Sequence, residues 1–188
     1  MRKRHSLRHV KGLSILELLI TLTIASIIFS FVVPTSKHIL TYSRVSSEIN
    51  QASSIVQFAR YTAINSHQKI SVCPTQNTRQ CDIQNWQLPL LVFYDKNRNQ
   101  QRDPDEAILR LGTRGNKFLT LKGPRKLISF SAGGSLSSTA TLKVCPTAPL
   151  PEFNRALYVS LNGRVRLSKD TNNDGIHDNG RGQQVSCS

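Results

Sequence analysis

The chain has 188 residues, 38% hydrophobic, 6% aromatic and 19% charged, with 25 Lys and Arg against 11 Asp and Glu for a formal net charge of +14. That composition excludes a disordered or fibrous protein and predicts one globular domain with a real core, plus whatever lies outside it. A positive excess on this scale attracts polyanions such as nucleic acid, anionic glycans or lipid headgroups, and is silent about fold.

The first twelve residues, MRKRHSLRHVKG, carry Arg2, Lys3, Arg4, Arg8 and Lys11 and no acid. Behind them, Leu13 to Val33 is an apolar run whose one charged member is Glu17. As a helix rising about 1.5 Å per residue, this run spans roughly 30 Å, the thickness of bilayer hydrocarbon. Basic residues in front of it hold the N-terminus in the cytoplasm, so everything after the run faces outward. A general secretory signal has a shorter apolar stretch followed by a small-residue cleavage site. Here the order is reversed: Gly12 is the processing signal and precedes the run. A cut after Gly12 releases five of the 25 basic residues and none of the 11 acids, leaving 20 against 11 and a net charge of +9. Glu17 then becomes the fifth residue of the product. A carboxylate inside a bilayer costs about 2.5–3.5 kcal/mol on insertion scales, so its presence calls for a partner.

Past Pro34, which removes a helix hydrogen bond and is expected to kink or loosen the helix, the helical period continues. Val45, Ile49, Ala52, Val56, Ala59 and Ala63 form one apolar stripe, predicting a single helix from about Ser14 to about Asn65. After His67 the pattern changes to short β-type runs: KISVC, LPLLVFY, AILRL, KFLTL, KLISF, ATLKV, ALYVS and RVRL, separated by Gly, Pro, Asn and Asp. These predict an antiparallel, sheet-rich head in which Trp86, Leu91, Phe93, Phe130 and Tyr158 are core or interface residues. Cys73, Cys81, Cys145 and Cys187 all fall on the outward side, where an even count favours two disulfides. Three pairings are open; Cys73 with Cys81 and Cys145 with Cys187 is preferred, because each closure ties down an irregular stretch.

Between Lys117 and Lys169 there are nine basic residues, Lys143 among them, and one acid, Glu152. Within this span Asn162 and Gly163 read as a tight turn followed by a strand that projects Arg164 and Arg166 to one side, with Lys169 joining from the next loop. Guanidinium forks suit phosphate oxygens, and such contacts are salt-sensitive and independent of base sequence. No aromatic-rich platform surrounds the pair, which favours backbone recognition over base stacking.

Two acidic stretches have calcium-loop spacing. The first places Asp95, Asn97, Asn99, Asp103 and Glu106 in order, but Gln100 stands where a glycine is needed and basic residues interrupt it, so a polar hairpin is the expectation. The second offers Asp170, Asn172, Asp174 and Asp178 around Gly175 as possible Ca2+ ligands, and lacks the closing Glu because Arg181 stands there. No cofactor is expected otherwise. His38, His67 and His177 have neither zinc spacing nor a nucleophile beside them, so no enzymatic site is expected.

The stretch KGLSILELLITLTIASII, with Gly12, Glu17 and Pro34 in place, resembles the class III signal of type IV prepilins and pseudopilins; Leu13 stands where those proteins usually have Phe. Most of the head resembles the GspH/FimT minor pilins: a cysteine pair before Trp86, LLVFYDKNRN leading into an acidic loop and AILR, a strand with Cys145, and LNGRVRLSKD. That last stretch matches the GRxR element of DNA-binding members at Gly163, Arg164, Val165 and Arg166.

The resemblance implies an α+β, type IV pilin-like fold, in which a long N-terminal helix packs on an antiparallel β-sheet head. Its parts are a leader (1–12), a transmembrane and filament-core half of the helix (13–34), an amphipathic half (35–66) and a head (67–188). Prepilin peptidase is implied to cleave after Gly12 and methylate the amine of Leu13, and Glu17 to meet the corresponding amine of a neighbouring subunit. The implied partners are double-stranded DNA, other major and minor pilins, the peptidase, and the bacterial inner membrane before assembly, with the head in the periplasm and later on the pilus. DNA uptake in natural transformation is the implied role, and a structural or priming pseudopilin of type II secretion the competing one.

Overall fold

A computed structural model describes residues 14–99 and 101–187, without the side chains of residues 31–35. The helix α1 (Ile15–Ser66) is followed by strands β1 (Ile70–Pro74), β2 (Leu90–Tyr94), β3 (Ile108–Leu111), β4 (Leu119–Lys122), β5 (Ile128–Phe130), β6 (Ala140–Pro146), β7 (Arg155–Val159) and β8 (Val165–Leu167). Each of the eight β-type runs of the sequence holds one strand. The chain divides after Leu40 into two compact units.

In the first unit Ser14 precedes the helix and its Oγ accepts the Leu16 N–H at 3.3 Å. Glu17 lies in the first turn, where a carboxylate is favoured by the unpaired N–H groups of a helix start. Thr21, Thr23, Ser26 and Ser30 donate their hydroxyls to carbonyls three residues back at 2.7–2.9 Å. The polar side chains of this stretch are thereby satisfied within the helix itself, while Ile15, Leu16, Leu19, Ile27 and Phe29 stay exposed. Among the described residues no helix is long and apolar enough to cross a membrane. Described side chains of the apolar run stop at Ser30; Pro34, where a kink is expected, lies within the span of α1, and the cleavage site at Gly12 and Leu13 falls outside the described residues.

In the second unit the sheets do not form one layer. Two four-stranded antiparallel sheets, ordered β3-β2-β1-β5 and β4-β6-β7-β8, share one core with the helix stripe. Val45, Ile49, Ala52, Val56, Ala59 and Ala63 are all buried, as their spacing predicts, and Ile55 joins them. The near-continuous burial of β1 and β2 has a local cause. Ile70, Val72, Leu90 and Val92 face the main core, whereas Cys73, Leu91 and Phe93 form a second cluster with Cys81 and Leu127 on the opposite face. Trp86 is buried with its Nε1–H donating to Pro124 O at 3.1 Å, and Tyr158 is half-buried.

The disulfides are Cys73–Cys81 and Cys145–Cys187, the preferred pairing of the three. The first pins a loop to the end of β1. The second ties the C-terminal tail to β6.

Candidate nucleic-acid interface

The turn between β7 and β8 is built from short-range hydrogen bonds. Gly163 N–H donates to Ser160 O at 2.8 Å and Ser160 N–H to Arg164 O at 3.1 Å, while Asn162 Oδ1 accepts the Arg164 N–H at 3.4 Å. Gly163 adopts φ +74°, the left-handed region, and a Cβ there would lie 1.9 Å from Gly134 O and 2.5 Å from Arg60 Nε. The glycine is therefore required twice, by conformation and by space. Arg60, on α1, explains the crowding: its Nε donates to Gly134 O at 3.2 Å and its Nη2 to Asn162 O at 3.1 Å. One guanidinium thus locks the β7–β8 turn against the Ser131–Ser135 turn. Nothing in the local sequence pairs Arg60 with residues a hundred positions away.

From that turn β8 runs antiparallel to β7, with Arg166 opposite Tyr158 and Tyr158 opposite Thr141 on β6. Strand alternation puts Arg164 and Arg166 on this same outer face, and both are exposed. They line an open groove of about 720 Å³ together with Tyr158, Asn179, Arg181 and Gln183. Desolvation of the half-buried Tyr158 pushes its phenol above the usual tyrosine range, so the hydroxyl stays neutral and available to donate.

Arg181 reaches the groove because the tail is fastened on both sides of it. Asn179 Oδ1 accepts the N–H groups of Arg181 at 2.8 Å and Gln183 at 3.1 Å, shaping the turn. Beyond it, Val185 is buried and its carbonyl accepts Asn154 Nδ2 at 3.0 Å. Lys143 Nζ donates to Ser186 O at 2.7 Å and Lys122 Nζ to Cys187 O, and the Cys145–Cys187 disulfide closes the arrangement. Two basic residues of the sequence are thereby accounted for differently. Lys143 holds the tail, and Lys169 is exposed outside the groove, its carbonyl accepting the Asp178 N–H at 2.7 Å. Arg181 was the residue that local pattern did not single out.

His177 anchors the start of this tail. Its Nδ1 lies 3.1 Å from Ser168 Oγ, which itself accepts the Ala156 N–H at 2.9 Å. A serine hydroxyl has one hydrogen and two acceptor lone pairs, so the direction of its bond with Nδ1 is set by the imidazole tautomer. Burial and the positive charge of Arg155 hold the His177 pKa below its ordinary value.

Apart from Asp95, which pairs with Lys69, most carboxylates of the two acidic stretches accept hydrogen bonds from their own loops. Glu106 is buried and accepts Lys96 N–H at 2.7 Å and Asp103 N–H at 3.0 Å, while Asn97 and Asn99 donate to Asp103 at 2.7 and 2.8 Å. This is the polar hairpin of the sequence reading. In the second stretch Asp170 accepts the N–H groups of Asn173 at 2.7 Å and Gly175 at 3.0 Å. Asp174 accepts Ile176 N–H, Asn172 Nδ2 and Gln184 Nε2, bonds that hold its pKa below the usual carboxylate value. Asp178 is buried and accepts from the Thr171 N–H and hydroxyl. Among the described residues no three His, Cys, Asp or Glu side chains are grouped to hold a metal ion.

The arrangement that stands out chemically is the trio Arg164, Arg166 and Arg181 on one open groove, none with a carboxylate at ion-pair distance among the described residues. The ion pair found among the described residues, Lys69 with Asp95 at 2.9 Å, lies outside this groove. Unpaired guanidinium groups beside a neutral phenol make a surface suited to phosphate oxygens.

Comparison with known proteins accords with the fold. The chain is similar to the type IV minor pilin FimU of Pseudomonas aeruginosa, with 20% identity over 68% of this chain and 90% of that one and a TM-score of 0.52. It is also similar to the minor pseudopilin EpsH of the type 2 secretion system of Vibrio cholerae, with 18% identity over 63% and 93% and a TM-score of 0.45. At 20% identity the likeness to FimU is one of fold. No curated protein sequence matches the chain. Residues 48–175, well over half of the chain, match the family described as type II transport protein GspH. With its helix on antiparallel sheets, the chain thus has the type IV pilin-like fold and belongs to the GspH family.

Proposed function

We propose that this protein is a minor pilin that captures double-stranded DNA outside the cell for uptake in natural transformation. In this reading prepilin peptidase cuts after Gly12 and methylates Leu13, the apolar helix holds the precursor in the inner membrane, and Glu17 meets the Leu13 amine of a neighbouring pilin on assembly. A salt bridge formed only between subunits would set their axial register. The observation that carries the DNA assignment is the convergence of Arg164, Arg166 and Arg181 on one groove without acidic partners. Three phosphate contacts give a slope of log affinity against log salt of about −2.7, or roughly fortyfold weaker binding between about 50 and 200 mM salt. One head then binds modestly, and several subunits on a filament raise the affinity by avidity.

The test is a gel-shift titration of the full chain in a nonionic detergent across a salt series. Arg164→Ala and Arg166→Ala should each lower the slope by about 0.9 and leave the fold intact. Unchanged DNA binding in both variants refutes the assignment. The family match to a type II transport protein favours a second reading, a structural or priming pseudopilin whose head contacts only other subunits. It predicts no DNA shift at physiological salt and a filament or secretion defect on deletion.

A further inference from the structure

A second groove, of about 840 Å³, opens beyond the end of α1 between His67–Lys69, the turn that follows β2, and the Ser131–Ser137 segment. Its acid is already engaged. Asp95 is fully buried, pairs with Lys69 at 2.9 Å and accepts the Ser71 hydroxyl at 3.1 Å, so its charge is offset within the wall. What the groove presents to solvent is Lys96 and Arg98, both exposed. Neither the Lys96 ammonium nor the Arg98 guanidinium bonds to another described residue. His67 and Arg98 hold left-handed backbone conformations, φ 53° and 64°, which non-glycine residues adopt only under constraint.

Hydrogen bonds cross-link the wall between the two grooves. Gly134 O accepts Arg60 Nε, whose guanidinium also holds Asn162 O, and Leu136 N–H donates to Leu161 O at 2.7 Å. The Ser131–Ser135 turn, closed by its own hydroxyl pair at 2.8 Å, is therefore fastened to the turn that carries Arg164. These hydrogen bonds link the segment that lines the second groove, where Lys96 and Arg98 lie, to the turn that flanks the first. Duplex DNA carries a negative charge about every 1.7 Å of axis, so a crossing duplex presents several phosphates to each groove.

We infer that Lys96 and Arg98 form a second phosphate-contact site for the same DNA duplex, reached across the Ser131–Ser137 segment. This rests on the DNA reading of the first groove. The experiment is a salt titration of a duplex of about 30 base pairs with the full chain in nonionic detergent, comparing the parent, Lys96→Gln/Arg98→Gln and Arg164→Ala/Arg166→Ala. The Lys96/Arg98 variant should lose roughly tenfold or more in affinity near 0.1 M salt and about two units of salt slope, and Lys96→Arg/Arg98→Lys should keep both. A parental slope in the Lys96/Arg98 variant, whether or not affinity falls, overturns the second site while the Arg164/Arg166 variant still reports the first. If the Arg164/Arg166 variant also binds as the parent does, the DNA reading itself fails and the second site with it.

Discussion

Replacing Gly163 with alanine puts a methyl group where the folded chain has a carbonyl oxygen. The new Cβ would lie 1.9 Å from Gly134 O and 2.5 Å from Arg60 Nε, at a backbone φ of +74°. The left-handed conformation alone costs an L-residue roughly 1–2 kcal/mol. Relief of the overlap means moving the β7–β8 turn away from Gly134, which breaks the Arg60 bonds to Gly134 O and Asn162 O. These are partly exposed, so about 0.5–1 kcal/mol each is appropriate. The sum is about 2–4 kcal/mol, and for a domain of this size roughly 4–16 °C in Tm. Thermal unfolding by circular dichroism measures it, with Arg60→Gln as the control that removes the bonds but not the space. Arg60→Gln should lose about 1–2 kcal/mol and Gly163→Ala clearly more. A Gly163→Ala protein within 0.5 kcal/mol of the parent would show that the two turns are not held this close, and the account of how Arg164 is positioned would fail.

Three further outcomes follow from the same geometry. Cys187→Ser opens the loop closed at a sequence separation of 42, a loss of about 4 kcal/mol in the chain-entropy treatment, and Cys81→Ser, at a separation of 8, about 2.5; denaturant melts should rank them in that order. Only Cys187→Ser should also weaken DNA binding, since it frees the tail that presents Arg181. His177 is neutral in the fold with its pKa below the ordinary 6.5, so its contribution is complete above that pH and is lost as pH falls through the folded value. Tm should drop on acidification below about pH 6.5, and His177→Asn should flatten that part of the profile; an unchanged profile would place the titrating group elsewhere. Because Asp170 and Asp174 accept bonds from their own loop, a chelator should leave Tm unchanged, whereas a rise in Tm on adding millimolar Ca2+ would show that these carboxylates turn outward to a metal.

Much of the scaffold was legible because it depends on periodicity. The spacing of Val45 through Ala63 encodes the buried face of α1, and each short β-branched or aromatic run between turn residues became a strand. The element GRVR could be read as two cations on one strand face for the same reason. Division of the strands into two sheets was not readable, because strand pairing is set by contacts distant in sequence. Nor does the sequence show that the Lys143 ammonium is bonded to the tail, at Ser186 O.

By itself, then, the amino-acid order determined the elements, the half-cystine positions and the basic excess, all of which follow from local period and composition. Tertiary structure alone decided which cations share a groove. Arg181 arrives there through a disulfide and a buried tail, and the turn bearing Arg164 is held by an arginine of the helix. The physical reason is that electrostatic sites are built from distances in space, and these are set by long-range closures that no local pattern records.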